Sequence, residues 1–160
     1  MNYREARKLA RRAEHSFGLP GDTSLHFIQE KLEMQRSRPI TIDELPGLAG
    51  SELCGVWLIC EGHDIVLHAP VKSIWHRQQI ILHEFSHMIL RHDLEISDEE
   101  LVLAFLPDLG VNVLRALGRS SYTDDAELTA EALADQLATR IINNEVGTTP
   151  EPLAFRRVFG

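Results

Sequence analysis

Apolar positions along the chain change period several times, and each change marks an element. From about Tyr3 to Ser16, Ala6, Leu9, Ala10 and Ala13 recur at helical spacing until "GLPGD" breaks the pattern. A second helix follows "DTS", with Leu25, Ile28 and Leu32 on one stripe. It stops before Pro39, because a residue preceding proline avoids the α region. The period then shortens. "RPITIDELPG" predicts a short strand and a turn, "ELCGVWLIC" a longer strand and "DIVLHAP" a third, with "EGHD" as the hairpin connection. Together they predict a short three-stranded sheet, with "DIVLHAP" as its exposed edge.

Helical spacing returns after "APVKS". The run from Ile74 to about Arg91 holds no Pro or Gly, and Ile74, Ile81, Phe85 and Met88 predict a buried helix. Ser97 followed by Glu100 has the capping-box pattern of a helix starting at Asp98, which Pro107 interrupts. A further helical piece is predicted from about Asp108 to Leu117, stopped by Gly118. The final helix runs from about Asp124 to Asn143 with Ala130, Ala134, Leu137 and Ile141 facing inward. "VGTTPEPLAFRRVFG" reads as a loose tail or a docking strap. The fold class expected is α+β, a single domain: N-terminal helices over 1–38, a core over 39–145 with the helix beginning at Ile74 in its centre, and a tail over 146–160.

Composition narrows the function. With 160 residues, 44% hydrophobic, 25% charged and 7 prolines, the chain has the make-up of one globular domain. A formal charge of −8 leaves no basic field for a phosphate backbone, which argues against direct nucleic-acid binding. Arg4, Arg7, Lys8, Arg11 and Arg12 cluster near the start, but Glu5 and Glu14 interleave them, as on a solvated helix face. No apolar run approaches the ~20 residues needed to cross a bilayer. "MNYREARKLARRAEHSF" also lacks the apolar block of a signal peptide, so a cytoplasmic location without a membrane partner is expected. Cys54 and Cys60 fall in one predicted strand, about 20 Å apart at 3.3 Å per residue, too far for a disulfide. Both read as buried thiols.

The candidate chemistry lies in "HEFSH". A helix advances 100° per residue, so His83 and His87 share a face and both imidazoles can reach one metal ion. Glu84 is offset sideways and suits a general base acting on a water at that ion, the H-E-x-x-H arrangement of zinc metallopeptidases. Such a Zn²⁺ keeps an open fourth position, acidifies its water and polarises a peptide carbonyl. The apolar residues around the histidines strengthen the assignment, since buried imidazoles need partners.

A third ligand is required. "TAEALAD" offers Glu131 and Asp135 on one face, Glu131 to coordinate the ion and Asp135 to hold the second nitrogen of a ligating histidine. Asp93 is a rival at the metzincin spacing, although Leu90 stands where that pattern has glycine. Glu127 serves instead if the last helix is rotated by one turn. His92 falls about 180° round the helix from His83 and is disfavoured, while His76 is about 10.5 Å of rise away from it. His63 and His68 are candidate substrate contacts, and Tyr122 is a candidate catalytic donor to a developing oxyanion.

"HEFSHMILRH" together with the later "EALADQLA", a short sheet before the first and a helix carrying the second, resembles the ImmA/IrrE family of zinc metallopeptidases over roughly residues 40–145. The resemblance implies a zincin-like domain, a Zn2+ cofactor, His83, His87 and Glu131 as ligands, and Glu84 as base. It further implies an endopeptidase whose protein substrate is a helix-turn-helix transcriptional regulator. Leu137 departs from the pattern, where relatives often have phenylalanine, and the C-terminal remainder is too short for the sensor-like domain some relatives carry. The alternative is a non-catalytic zinc-containing interaction module, or a toxin-like partner of a DNA-binding regulator.

Overall fold

The computed structural model describes residues 1–50, 53–94 and 113–148 of the chain. Among these, four helices and a four-stranded mixed sheet form an α+β fold. Helix α1 (Tyr3–Phe17) opens with a capping box, in which Asn2 Oδ1 accepts from the Glu5 amide at 3.0 Å and Glu5 Oε2 accepts from the Asn2 amide at 3.1 Å. Ala6 and Ala10 are buried as expected, whereas Leu9 is exposed. Helix α2 (Leu25–Arg36) is capped by Ser24 and buries Ile28 and Leu32.

Strands β1 (Ile40–Glu44), β2 (Gly55–Cys60), β3 (Asp64–His68) and β4 (Val113–Leu117) lie in the order β1-β3-β2-β4. The β2 and β3 strands form the predicted antiparallel hairpin, with Gly62 at φ 83 supplying its left-handed turn residue. Beside it, β1 pairs with β3 in parallel. The expected edge "DIVLHAP" is therefore an interior strand, bonded on both sides, and among the described residues the edges are β1 and β4. Both faces of β2 and β3 are buried, which explains why their sequences run apolar without alternation. Trp57, Ile59 and Val66 pack towards the helices, and Val56, Leu58, Ile65 and Leu67 form a second core on the opposite face.

Two expectations about this sheet are corrected. It has four strands rather than three, because residues 113–117, expected to be helical, form β4 against β2. Val113, Ala116 and Leu117 are buried in that position, so sheet pairing outweighs a segment whose residues suit either state. Cys54 precedes β2 and is exposed, while Cys60 is buried within it; neither forms a disulfide. The helix expected from Asp98 lies outside the described residues, as does the tail beyond residue 148.

Helix α3 (Ile74–Ile89) crosses the sheet between β2 and helix α4 (Asp124–Thr148). Ile81, Phe85 and Met88 are buried, but Ile74 at its first turn is 79% exposed. In α4 all four inward residues, Ala130, Ala134, Leu137 and Ile141, are buried, and α1 packs along the same helix. A buried ion pair ties α2 to the sheet: Asp64, wholly buried, meets Arg36 Nε at 2.6 Å and Arg38 Nε at 3.0 Å. Arg36 also lies over the Trp57 ring, 4.8 Å from its centroid. No helix among the described residues is long and apolar enough to cross a membrane.

Candidate metal centre

Helices α3 and α4 meet in antiparallel register, and the register decides which acidic residue faces the histidines. Thr123 caps α4, its Oγ1 accepting from the Ala126 amide at 3.1 Å, so Glu127 falls in the first turn. A carboxylate there also complements the positive end of the helix. Glu127 Oε2 lies 3.3 Å from His83 Nε2, and Glu127 Oε1 lies 3.0 Å from His87 Nε2. The two Nε2 atoms are 3.2 Å apart. His87 and Glu84 are buried, and His83 and Glu127 are half-buried.

The two short carboxylate contacts run to different oxygens of Glu127, and one ligand atom from each of His83, His87 and Glu127 lies within 4.8 Å of the others. A tetrahedral zinc ion with bonds of about 2.0–2.1 Å spaces its ligand atoms about 3.3–3.4 Å apart. The residues present therefore fit a divalent cation, with His83, His87 and Glu127 as the three-residue group. Glu84 adds a further mark of a functional site. Its Oε2 is buried without a hydrogen-bond partner among the described residues. Burial pushes its pKa up to about 7, against the nearby positive charge of His83. Burial also opposes ionisation of Glu127, yet hydrogen bonds to His83 and His87 bring its pKa down to about 2. Burial lowers the pKa of His87; in His83 the same effect is outweighed by Glu127 and Glu84, and the pKa is raised.

Glu131 lies one turn further along α4, exposed and outside the triad, so the first turn of α4 brings Glu127 where the sequence favoured Glu131. Asp135 lies another turn on. Its Oδ1 accepts from Gln79 Nε2 at 2.8 Å and its Oδ2 from the Tyr3 hydroxyl at 3.4 Å, so it holds Gln79 rather than a histidine. Asp93 faces Arg36, with 3.8 Å between Oδ2 and Nη1. His68 is buried on β3, its Nδ1 3.0 Å from the Ala69 carbonyl and its Nε2 accepting from Arg77 at 3.3 Å. His63 sits in the hairpin turn, its Nδ1 3.3 Å from the Glu61 carbonyl.

Two residues have places that spacing along the chain did not reveal. Tyr122 stacks flat on His87, ring centroids 3.7 Å apart and planes 7° from parallel. Its hydroxyl has no hydrogen-bond partner among the described residues, and burial, then the charges of Glu84, Glu127 and Asp93, push its pKa upward. His92 Nδ1 lies 2.8 Å from His87 Nδ1. Helix α3 ends at Ile89, and Arg91 at φ 58 turns the chain back, so His92 is not on the helical face that continuous spacing predicts.

A cleft of about 440 Å³ opens beside His83 and Glu127, lined among others by Gly55, His76, His83, Glu84, Glu127 and Glu131. No protein-family model matches the chain, and neither does any curated protein or solved structure.

Proposed function

We propose that the chain is a zinc-dependent endopeptidase with a zincin-like core, similar to the ImmA/IrrE metallopeptidases, acting in the cytoplasm on a regulatory protein of the helix-turn-helix class. The observation that carries this reading is the convergence of His83, His87 and Glu127, one ligand atom from each within 4.8 Å of the others, with Glu84 lining the same open cleft. Bound by those three side chains, zinc supplies Lewis-acid chemistry, polarising a carbonyl and acidifying water.

The chain's own groups do the rest. Glu84 accepts a proton from the water that attacks the peptide carbonyl carbon and returns it to the amine as the C–N bond breaks. The Oε2 of Glu84 is buried with no hydrogen-bond partner among the described residues.

The test is metal analysis of the purified chain, followed by incubation of the zinc-loaded protein with helix-turn-helix regulators encoded near its gene. About one zinc per chain is expected, and regulator cleavage that disappears in Glu84→Gln while zinc is retained. A well-folded wild-type chain that takes up no added zinc would overturn the proposal. Regulator output that survives Glu84→Gln would replace the peptidase with a zinc-containing binding module.

A further inference from the structure

A histidine that binds a cation through Nε2 has a second nitrogen, and what that atom touches sets the tautomer and the aim of the ring. In His87 the second nitrogen meets another imidazole: Nδ1 of His87 and Nδ1 of His92 are 2.8 Å apart. At that distance the two nitrogens share one hydrogen, one ring donating and the other accepting. The rings are inclined at 61° with centroids 5.1 Å apart, so the contact is made through ring edges rather than by stacking. Tyr122 covers the face of the same imidazole. His87 is thus held on one face by a ring and on one edge by a hydrogen bond.

We propose that His92 is the positioning residue of the metal centre, holding His87 so that Nε2 points at the cation. The proposal rests on the zinc reading above. An imidazole has a property here that the usual carboxylate partner lacks. When His87 carries its hydrogen on Nε2 it can donate to the Glu127 carboxylate 3.0 Å away, and Nδ1 is left to accept. With an ion, Nε2 must be bare and Nδ1 must donate. A carboxylate only accepts, whereas a neutral imidazole does either by carrying its hydrogen on one nitrogen or the other. His92 therefore satisfies His87 in both states with one hydrogen on each ring throughout. The left-handed Arg91 is the backbone device that brings it there, since a helix continued past Ile89 would carry His92 away.

The experiment is zinc affinity by competition with a chelating dye, on the full chain, for wild type, His92→Phe and His92→Asn, with folding checked by circular dichroism. Phenylalanine keeps the ring volume and removes both nitrogens; asparagine keeps an amide that accepts or donates near the Nδ1 position. His92→Phe should weaken zinc about 10- to 100-fold, the usual effect of losing such a partner, and His92→Asn should recover most of it. Equal affinity in wild type and a folded His92→Phe overturns the positioning role and leaves the zinc centre standing. A wild type that binds no zinc overturns both. Should His92→Phe fail to fold, the zinc-loaded wild type decides: nitrogen–nitrogen coupling across the hydrogen bond between His87 Nδ1 and His92 Nδ1 is expected in the NMR spectrum. Its absence, with both signals assigned, overturns the proposal.

Discussion

Gly55 lies directly against the carboxylate of Glu84: a Cβ built there would stand 2.9 Å from Glu84 Oε1 and 2.9 Å from Ile80 Cγ2. Its backbone is not left-handed, so the demand is for space and not for conformation. Gly55→Ala should destabilise the fold by about 1–3 kcal/mol through overpacking, read from urea denaturation. Because the displaced group is the proposed base, hydrolysis should fall by about 100-fold while zinc stays bound. Adding Glu84→Ala should relieve only part of the stability loss, since the Ile80 contact remains, and a double-mutant cycle measures that share. Full additivity of the two changes would show that the carboxylate is not pressed by position 55.

Glu127 and Glu131 make opposite predictions although they share a helix face. Glu127→Ala removes the carboxylate that faces both histidines and should take zinc content from about one per chain towards none. Glu131→Ala removes an exposed cleft residue and should leave zinc content unchanged. Metal analysis of both purified variants checks the pair, and loss of zinc from Glu131→Ala alone would reverse the assignment.

That choice marks the limit of what the sequence could say about the site. His83, Glu84 and His87 are legible because their relation is internal to one helix, where 100° per residue places each side chain. The third acidic residue depends on how far α4 slides along α3, and the Thr123 cap with Tyr122 stacked on His87 sets that offset through contacts distant in sequence. The place of His92 beside His87 was hidden for a related reason: α3 ends at Ile89, and nothing local announced a left-handed residue at Arg91, although His92 does lie outside the triad as expected. In the sheet, β2 and β3 were legible from their apolar runs and the Gly62 turn. The strand at 113–117 was not, because its partner, the free side of β2, exists only in the folded chain.

Glu84 also gives the metal-free protein a pH dependence of definite sign. Its folded pKa is about 7 against an ordinary value of 4.5, so the native state binds the extra proton between those values. Its contribution to stability is fully present below about 4.5 and is lost as pH rises through about 7, with an upper bound on the order of 3 kcal/mol. Glu127 acts in the other direction and lower down, its contribution present above 4.5 and lost as pH falls through about 2. In chelated protein, Glu84→Gln should therefore gain stability relative to wild type between pH 5 and pH 8. Parallel urea curves at the two values check it; an identical difference at both would mean that Glu84 is not held protonated by its surroundings.

Tyr122 separates stability from chemistry. Its ring packs on His87 and its hydroxyl is buried without a partner among the described residues, a situation that ordinarily costs about 1–3 kcal/mol. Tyr122→Phe keeps the stacked ring and removes only the hydroxyl, so the fold should become more stable and zinc should be retained. Tyr122→Leu removes the stack and should weaken zinc as well. A hydroxyl kept at such a cost, beside Glu84 and Glu127, suits a donor that finds its acceptor only when a carbonyl oxygen takes on negative charge. On that account Tyr122→Phe should lower turnover of a cleaved regulator by about 10²- to 10³-fold, the usual effect of removing one oxyanion donor. Thermal unfolding, metal content and single-turnover cleavage on the same preparation test all three. Wild-type turnover in Tyr122→Phe would leave the residue with the stacking role alone.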